Sequence, residues 1–221
     1  MTAKPLSIVV LISGSGSNMQ AIIDSLPKQN INAEIKAVIS NKVDAYGLEL
    51  AKQANIPALS IDHTLYDSRL SFDQAMIEII DSFKPDLIIL AGFMRILSEE
   101  FVNHYAGRLI NIHPSLLPEF KGLNTHQRAI DAGHHQHGAS VHFVSNELDG
   151  GPVIAQAVVA IDEQDDAESL RLKVLEQEHI LYPLVTKWLA QNRIALVDQT
   201  VYFDQTPLEK AIIIDADSWN A

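Results

Sequence analysis

"LSIVVLISGSGSNMQAIIDSL", residues 6–26, runs from an unbroken apolar stretch through alternating serine and glycine into a segment of helical spacing. A strand with one wet face alternates polar and apolar residues. Residues 6–12 do not alternate, so they predict a strand buried on both faces, as in a parallel sheet. From residue 18 to 26 the apolar side chains recur three or four apart, which predicts a helix. The same pairing returns downstream. Apolar runs at 35–40 ("IKAVIS"), 57–61 ("PALSI"), 86–91 ("DLIILA") and 108–112 ("RLINI") are interleaved with helically spaced segments at 45–55 and 68–84. This rhythm predicts an α/β fold built on a doubly wound, mostly parallel sheet. After residue 137 the style changes. There "HGASVHFV" and "GPVIAQAVVAI" flank the turn-like "NELDGG", predicting a hairpin and an antiparallel edge. A long helix is expected over 167–191, kinked or broken at Pro183. The remainder should hold a short strand or two and a loosely held end.

The chain has 221 residues, enough for one sizeable core. Its formal charge of −12 argues against gripping nucleic acid, which takes clustered Lys and Arg. A small anion can still bind where backbone amides and one or two cations are placed for it. Cysteine is absent, which removes disulfides, thiolate catalysis and cysteine zinc sites at once. Lys4 precedes the apolar run in the manner of a secretory leader, but the run is short and no A-x-A site follows it, so it is read as a first strand. No stretch approaches the ~20 apolar residues of a membrane span.

Chemistry is expected where strands end. "SGSGSN", residues 13–18, lets the backbone turn tightly, and the amides from Gly16 to Gln20 open the following helix, a geometry that suits a phosphate. It lacks the lysine of a P-loop, and Met19 stands where a dinucleotide fingerprint needs its third glycine, so a nicotinamide cofactor is disfavoured. The plain alternative is a Ser/Gly turn with Asn18 as N-cap. "AGFMRIL" at 91–97 offers either an apolar wall for a flat heterocycle or ordinary loop packing. "NIHPSLLPEFKG" at 111–122 puts Asn111 and His113 two apart where an apolar strand is ending, so both project to one face. In "ELDGG", Asp149 can orient an imidazole or simply make a turn. "GHHQHG" gathers His134, His135 and His137; without an acidic or cysteine ligand at helical spacing, a solvated loop is expected and no metal. Neither a His-Glu-x-x-His nor a Gly-x-Ser-x-Gly motif occurs.

Taken in order, "SGSGSN", "LAGFMRIL", "NIHPSLLPEFKG", "HGASVHFV" and "ELDGGPVI" closely resemble the folate-dependent formyltransferases over about residues 6–190. The resemblance implies a Rossmann-like catalytic domain at 1–195, with 196–221 an extension packed on it or trailing from it. It implies transfer of a formyl group from 10-formyltetrahydrofolate, as co-substrate, to the amino group of glycinamide ribonucleotide in purine synthesis. No tightly bound cofactor and no metal are implied. By matching position, Asn111, His113 and Asp149 would be catalytic. Gly16, Ser17, Asn18, Met19 and Gln20 would hold the substrate phosphate, and Glu178 would contact the same substrate. Folate would lie against Met94, Arg95, Ile96 and Leu97 and against Ser145, Asn146, Glu147 and Leu148, with Arg69 near its glutamate tail. The same three catalytic residues could also serve a formyltetrahydrofolate deformylase, with water replacing the amine. Expected partners are small molecules only, neither nucleic acid nor membrane, for a cytoplasmic monomer or homodimer.

Overall fold

The computed structural model describes residues 4–214. Among the described residues, eleven strands and six α-helices follow one another as β1 Leu6–Ile12, α1 Ser17–Lys28, β2 Ala33–Ser40, α2 Tyr46–Gln53, β3 Ala58–Ser60, α3 Arg69–Ser82, β4 Leu87–Leu90, α4 Glu99–His104, β5 Leu109–His113, α5 Thr125–Asp131, β6 Gln136–Phe143, β7 Val153–Ala160, α6 Ala167–Ala190, β8 Ile194–Val197, β9 Thr200–Phe203, β10 Thr206–Pro207 and β11 Ile212–Ile214. A 3₁₀ turn, His63–Leu65, precedes α3. The architecture is the doubly wound α/β class, a mostly parallel mixed sheet of eight strands with a separate three-stranded sheet. The chain divides into two compact units, the first ending at Asn111 and the second starting at Ile112.

In the first unit the strand order is β3-β2-β1-β4-β5 and every pairing is parallel. The continuous apolar runs are buried as their pattern requires: Ile8 through Ile12 are fully inaccessible, as are Val38, Ile39, Ile88 and Ile89. Each such side chain contributes roughly 1.5–3 kcal/mol through burial, so this central sheet holds the unit together. Helix α3 begins in a reciprocal cap, with Ser68 Oγ accepting from the Ser71 amide and Ser71 Oγ accepting from the Ser68 amide. Helix α1 begins at Ser17, so its N-cap is Gly16 and not Asn18. Gly16 sits at φ +75°, and a Cβ there would fall 2.7 Å from the Gly47 Cα, which excludes larger residues on two counts.

In the second unit β6 and β7 pair antiparallel, the predicted hairpin, and β11 adds parallel to β7. Helix α6 packs on both β6 and β7. Its start is capped by Asp166, whose carboxylate accepts from the Glu168 and Ser169 amides. The helix continues through Pro183 to Ala190, so the expected break at that proline does not occur. Beyond α6, β8, β9 and β10 form the separate antiparallel sheet, steadied where Trp188 meets Phe203 edge to face at 5.0 Å. More strand follows residue 194 than the sequence predicts, and β8 itself spans residues 194–197. The loosely held end expected at the terminus falls on residues 215–221, outside the described residues.

Candidate functional site

Two groups of residues sit where strands of the first unit end. The turn after β1 is tied to the start of α2 by the Gly47 amide, which donates to the Gly14 carbonyl at 2.9 Å. Ser17, Asn18 and Met19 form the first helical turn of α1. The Gln20 amide already donates to the Gly16 carbonyl at 2.8 Å, and its side chain reaches Asp24. The amides that open this helix therefore stop at Met19, one residue short of the expected range.

The stretch after β4 holds its backbone in and turns two apolar side chains out. Met94 and Ile96 are 71% and 58% exposed, yet the Met94 amide donates to Ser13 Oγ at 2.8 Å and the Ser98 amide donates to the Asp73 carboxylate at 2.5 Å. The Arg95 guanidinium lies over the Phe72 ring at 4.8 Å. Asp73 is buried, which raises its pKa, while the Ser98 amide and then Arg95 and Arg69 oppose that rise. Arg69 opens α3 on its exposed side.

In the second unit the end of β5 carries His113, buried at 6% exposure. Its Nδ1 lies 3.4 Å from Asp149 Oδ2, and its Nε2–H donates to the Phe120 carbonyl at 3.0 Å. Both ring nitrogens thus face oxygen atoms, which fixes the plane of the ring. Asp149 is held from the other side by the Gly122 amide at 2.9 Å. It sits at φ +46°, just before Gly150 and Gly151. A Cβ at Gly151 would lie 1.8 Å from the Phe143 carbonyl oxygen, so the turn is pressed against β6 and fixes the carboxylate. Asn111, two positions before His113 on β5, shares its face of the strand. Next to Asp149, Glu147 pairs with Lys121 at 2.6 Å, and Leu148 is 54% exposed. Ser145 Oγ accepts from the Glu147 amide. Glu178 is buried in the middle of α6, 7% exposed.

Two neighbours lie beyond the residues that the sequence singled out. His142 is buried with Nε2 4.0 Å from Asp149 Oδ1, while its Nδ1–H donates to the Phe143 carbonyl at 2.9 Å. Burial pushes its pKa down, and Asp149 opposes that shift. Ser140, also on β6, accepts from the Leu117 amide and donates to the Ser115 carbonyl, pinning the chain just beyond His113. Their signal was the polar residue at every second place in "GASVHF", inside a strand buried on both faces. His137 corrects an expectation. It lies on β6, 1% exposed, and not in a solvated loop, with its pKa lowered to about 4 mainly by burial. Among the described residues no cluster of three His, Asp or Glu could hold a metal, and no helix is long and apolar enough to cross a membrane.

Comparison with known proteins bears on this geometry. The formyl transferase family profile matches residues 6–186. A phosphoribosylglycinamide formyltransferase from Escherichia coli is 51% identical over 199 residues, covering 90% of this chain and 94% of that protein. One from Haemophilus influenzae is 48% identical over 204 residues, covering 92% and 96%. The trifunctional purine biosynthetic protein adenosine-3 of Bos taurus is 44% identical over 193 residues, which are 87% of this chain but 19% of that protein. Among solved structures, a phosphoribosylglycinamide formyltransferase from Coxiella burnetii superposes with a TM-score of 0.92 at 50% identity, covering 95% of this chain and 99% of that one.

Proposed function

We infer how this chain works from one premise: it belongs to the formyl transferase family and is a phosphoribosylglycinamide formyltransferase of purine biosynthesis. The donor proposed here is 10-formyltetrahydrofolate, with Asn111, His113 and Asp149 as the catalytic residues. The observation that carries this assignment is the His113 ring, buried and set between the Asp149 carboxylate and an oxygen acceptor.

The amine of the ribonucleotide attacks the formyl carbon, and negative charge builds on the formyl oxygen. Donors fixed in advance at that oxygen lower the barrier by roughly 3–4 kcal/mol each. The Asn111 amide and the His113 ring N–H are such donors, and Asp149, 3.4 Å from the other ring nitrogen, fixes the ring's orientation. The tetrahedral intermediate collapses by breaking the carbon–nitrogen bond to folate. The proton lost by the amine reaches the departing folate nitrogen through His113 or water. The Phe120 carbonyl now holds His113 Nε2–H, so it must yield this hydrogen to the formyl oxygen. The turn from Gly16 to Met19 takes the phosphate, supported by Glu178 elsewhere on the ribonucleotide. Met94 to Leu97, Ser145 to Leu148 and Arg69 receive the folate.

Residues 1–195 are proposed as the catalytic domain, with 196–221 as its extension. The protein is placed in the cytoplasm as a monomer or homodimer that handles small molecules and no nucleic acid. The test is His113→Ala. Turnover of glycinamide ribonucleotide with 10-formyltetrahydrofolate should fall at least a hundredfold while ribonucleotide binding stays within about threefold, as for loss of a group acting in the transition state. A near-normal rate would sink the assignment.

A further inference from the structure

Four turns at the carboxyl ends of β1, β2, β3 and β4 are joined by one chain of polar contacts. Ser13, after β1, is 4% exposed; its hydroxyl donates to Asn41 Oδ1 at 2.5 Å and accepts from the Met94 amide at 2.8 Å. Asn41, after β2, is 2% exposed. Its carbonyl accepts from His63 Nδ1–H at 2.9 Å, in the turn after β3. Its side-chain nitrogen lies 3.4 Å from the same His63 nitrogen, the weaker of two contacts that one proton cannot serve together. Met94 follows β4 in the exposed loop, whose other end is pinned where Asp73 accepts from the Ser98 amide. Ser13 Oγ donates to one neighbour and accepts from the other, so Ser13 cannot move without releasing either Asn41 or the Met94 backbone.

We propose that Ser13 is a positioning residue that couples the glycine-rich turn to the Met94–Leu97 loop, so that ribonucleotide held on the first tightens folate binding on the second. The proposal rests on the assignment of the two substrates given above. A phosphate on the turn that begins at Gly14 fixes the backbone next to Ser13. The fixed hydroxyl then orders the Met94 amide, and folate meets a loop whose ordering cost has already been met. Asn41 and His63 set the direction of the Ser13 hydroxyl.

The experiment titrates 5-formyltetrahydrofolate, a folate carrying no formyl group at the reacting nitrogen, into the full protein with and without saturating glycinamide ribonucleotide. In the parent the ribonucleotide should tighten folate by roughly fivefold or more, the lower end of ordinary coupling between sites. Ser13→Ala should bring that ratio below about twofold, and Ser13→Thr, which keeps the hydroxyl, should restore much of it. The parent ratio persisting in Ser13→Ala, or a ratio of one in the parent, overturns the coupling. If Ser13→Ala does not fold, His63→Ala at the half-buried end of the chain replaces it; there the ratio should fall at least by half, and an unchanged ratio overturns the proposal. Turnover of the parent in the same samples separates the two layers. Coupling without turnover would refute the transferase assignment alone, and turnover without coupling would refute this inference alone.

Discussion

Replacing His137 by Asn should flatten the acid side of the stability curve by about 2 kcal/mol, an amount fixed by the burial of one ring. His137 is 1% exposed, and its neighbours are the rings of His126 at 5.3 Å and Phe120 at 5.8 Å. Burial dominates its environment, with the positive charge of a protonated His126 adding to it. A hydrogen bond to the Pro114 carbonyl only partly opposes them, and the pKa falls from 6.5 to about 4. The folded ring therefore stays neutral where the unfolded ring takes a proton. Between these values the unfolded state binds more protons, so stability rises with pH. The contribution is complete above the unfolded value and is lost as pH falls through 6.5 toward 4. From about pH 7.5 to about pH 4.5 this site alone should cost about 2 kcal/mol. Asn keeps an amide nitrogen where Nδ1 donates to Pro114 but cannot be protonated. Urea unfolding of both proteins at both pH values isolates the term, because every other group titrates in each. Equal losses in parent and variant would refute the reasoning. A larger loss in the parent should be accompanied by loosening of the chain beyond Pro114, whose carbonyl also accepts from Thr125 Oγ1 at 2.5 Å.

Other outcomes follow from single contacts. Asp149→Asn keeps an acceptor for the Gly122 amide but removes the charge beside His113, so kcat should fall roughly a hundredfold or more with ribonucleotide affinity unchanged; a variant impaired only in folate KM would contradict the role given to this carboxylate. Gly151→Ala must push β6 away from a Cβ only 1.8 Å from the Phe143 carbonyl and should destabilise the protein by about 3 kcal/mol in a urea titration, while a variant as stable as the parent would show the turn to be looser than drawn. Asn18→Ala should act chiefly on the KM for ribonucleotide, and a change confined to folate would mean that the phosphate lies elsewhere.

The parallel strands were legible because burial on both faces leaves an unbroken apolar run, and residues 6–12 coincide with β1. Helices α1, α2 and α3 were visible through their periodicity. Helix α4 has 6 residues and α5 has 7, too few turns to repeat a pattern, and both fell in stretches to which the sequence assigns no element. Pro183 misled because a helix can carry a proline when its packing face continues, and Leu181, Leu184 and Val185 around it are buried. Of the site, His113 and Asp149 could be paired only through resemblance to a family, since thirty-five intervening residues carry no local mark of their meeting. His142 and Ser140 escaped because a polar residue on a doubly buried strand looks the same in sequence whether it supports a site or fills a core. His137 was misread for a related reason: its burial comes from Phe120 and His126, which only the fold brings beside it.

The Phe120 carbonyl on His113 has a consequence for the discovery of inhibitors. The resting protein already supplies the nitrogen proposed to act on the formyl oxygen with an oxygen at 3.0 Å, from a residue seven positions along the same chain. A tethered group competes at an effective concentration on the order of millimolar or above. Weak fragments that aim an acceptor at this nitrogen will leave the carbonyl in place and go unseen in a screen, however well their shape suits the site. Compounds that grip the exposed Leu148 beside Asp149 first, and only then present an oxygen to His113, start from the affinity needed to displace it.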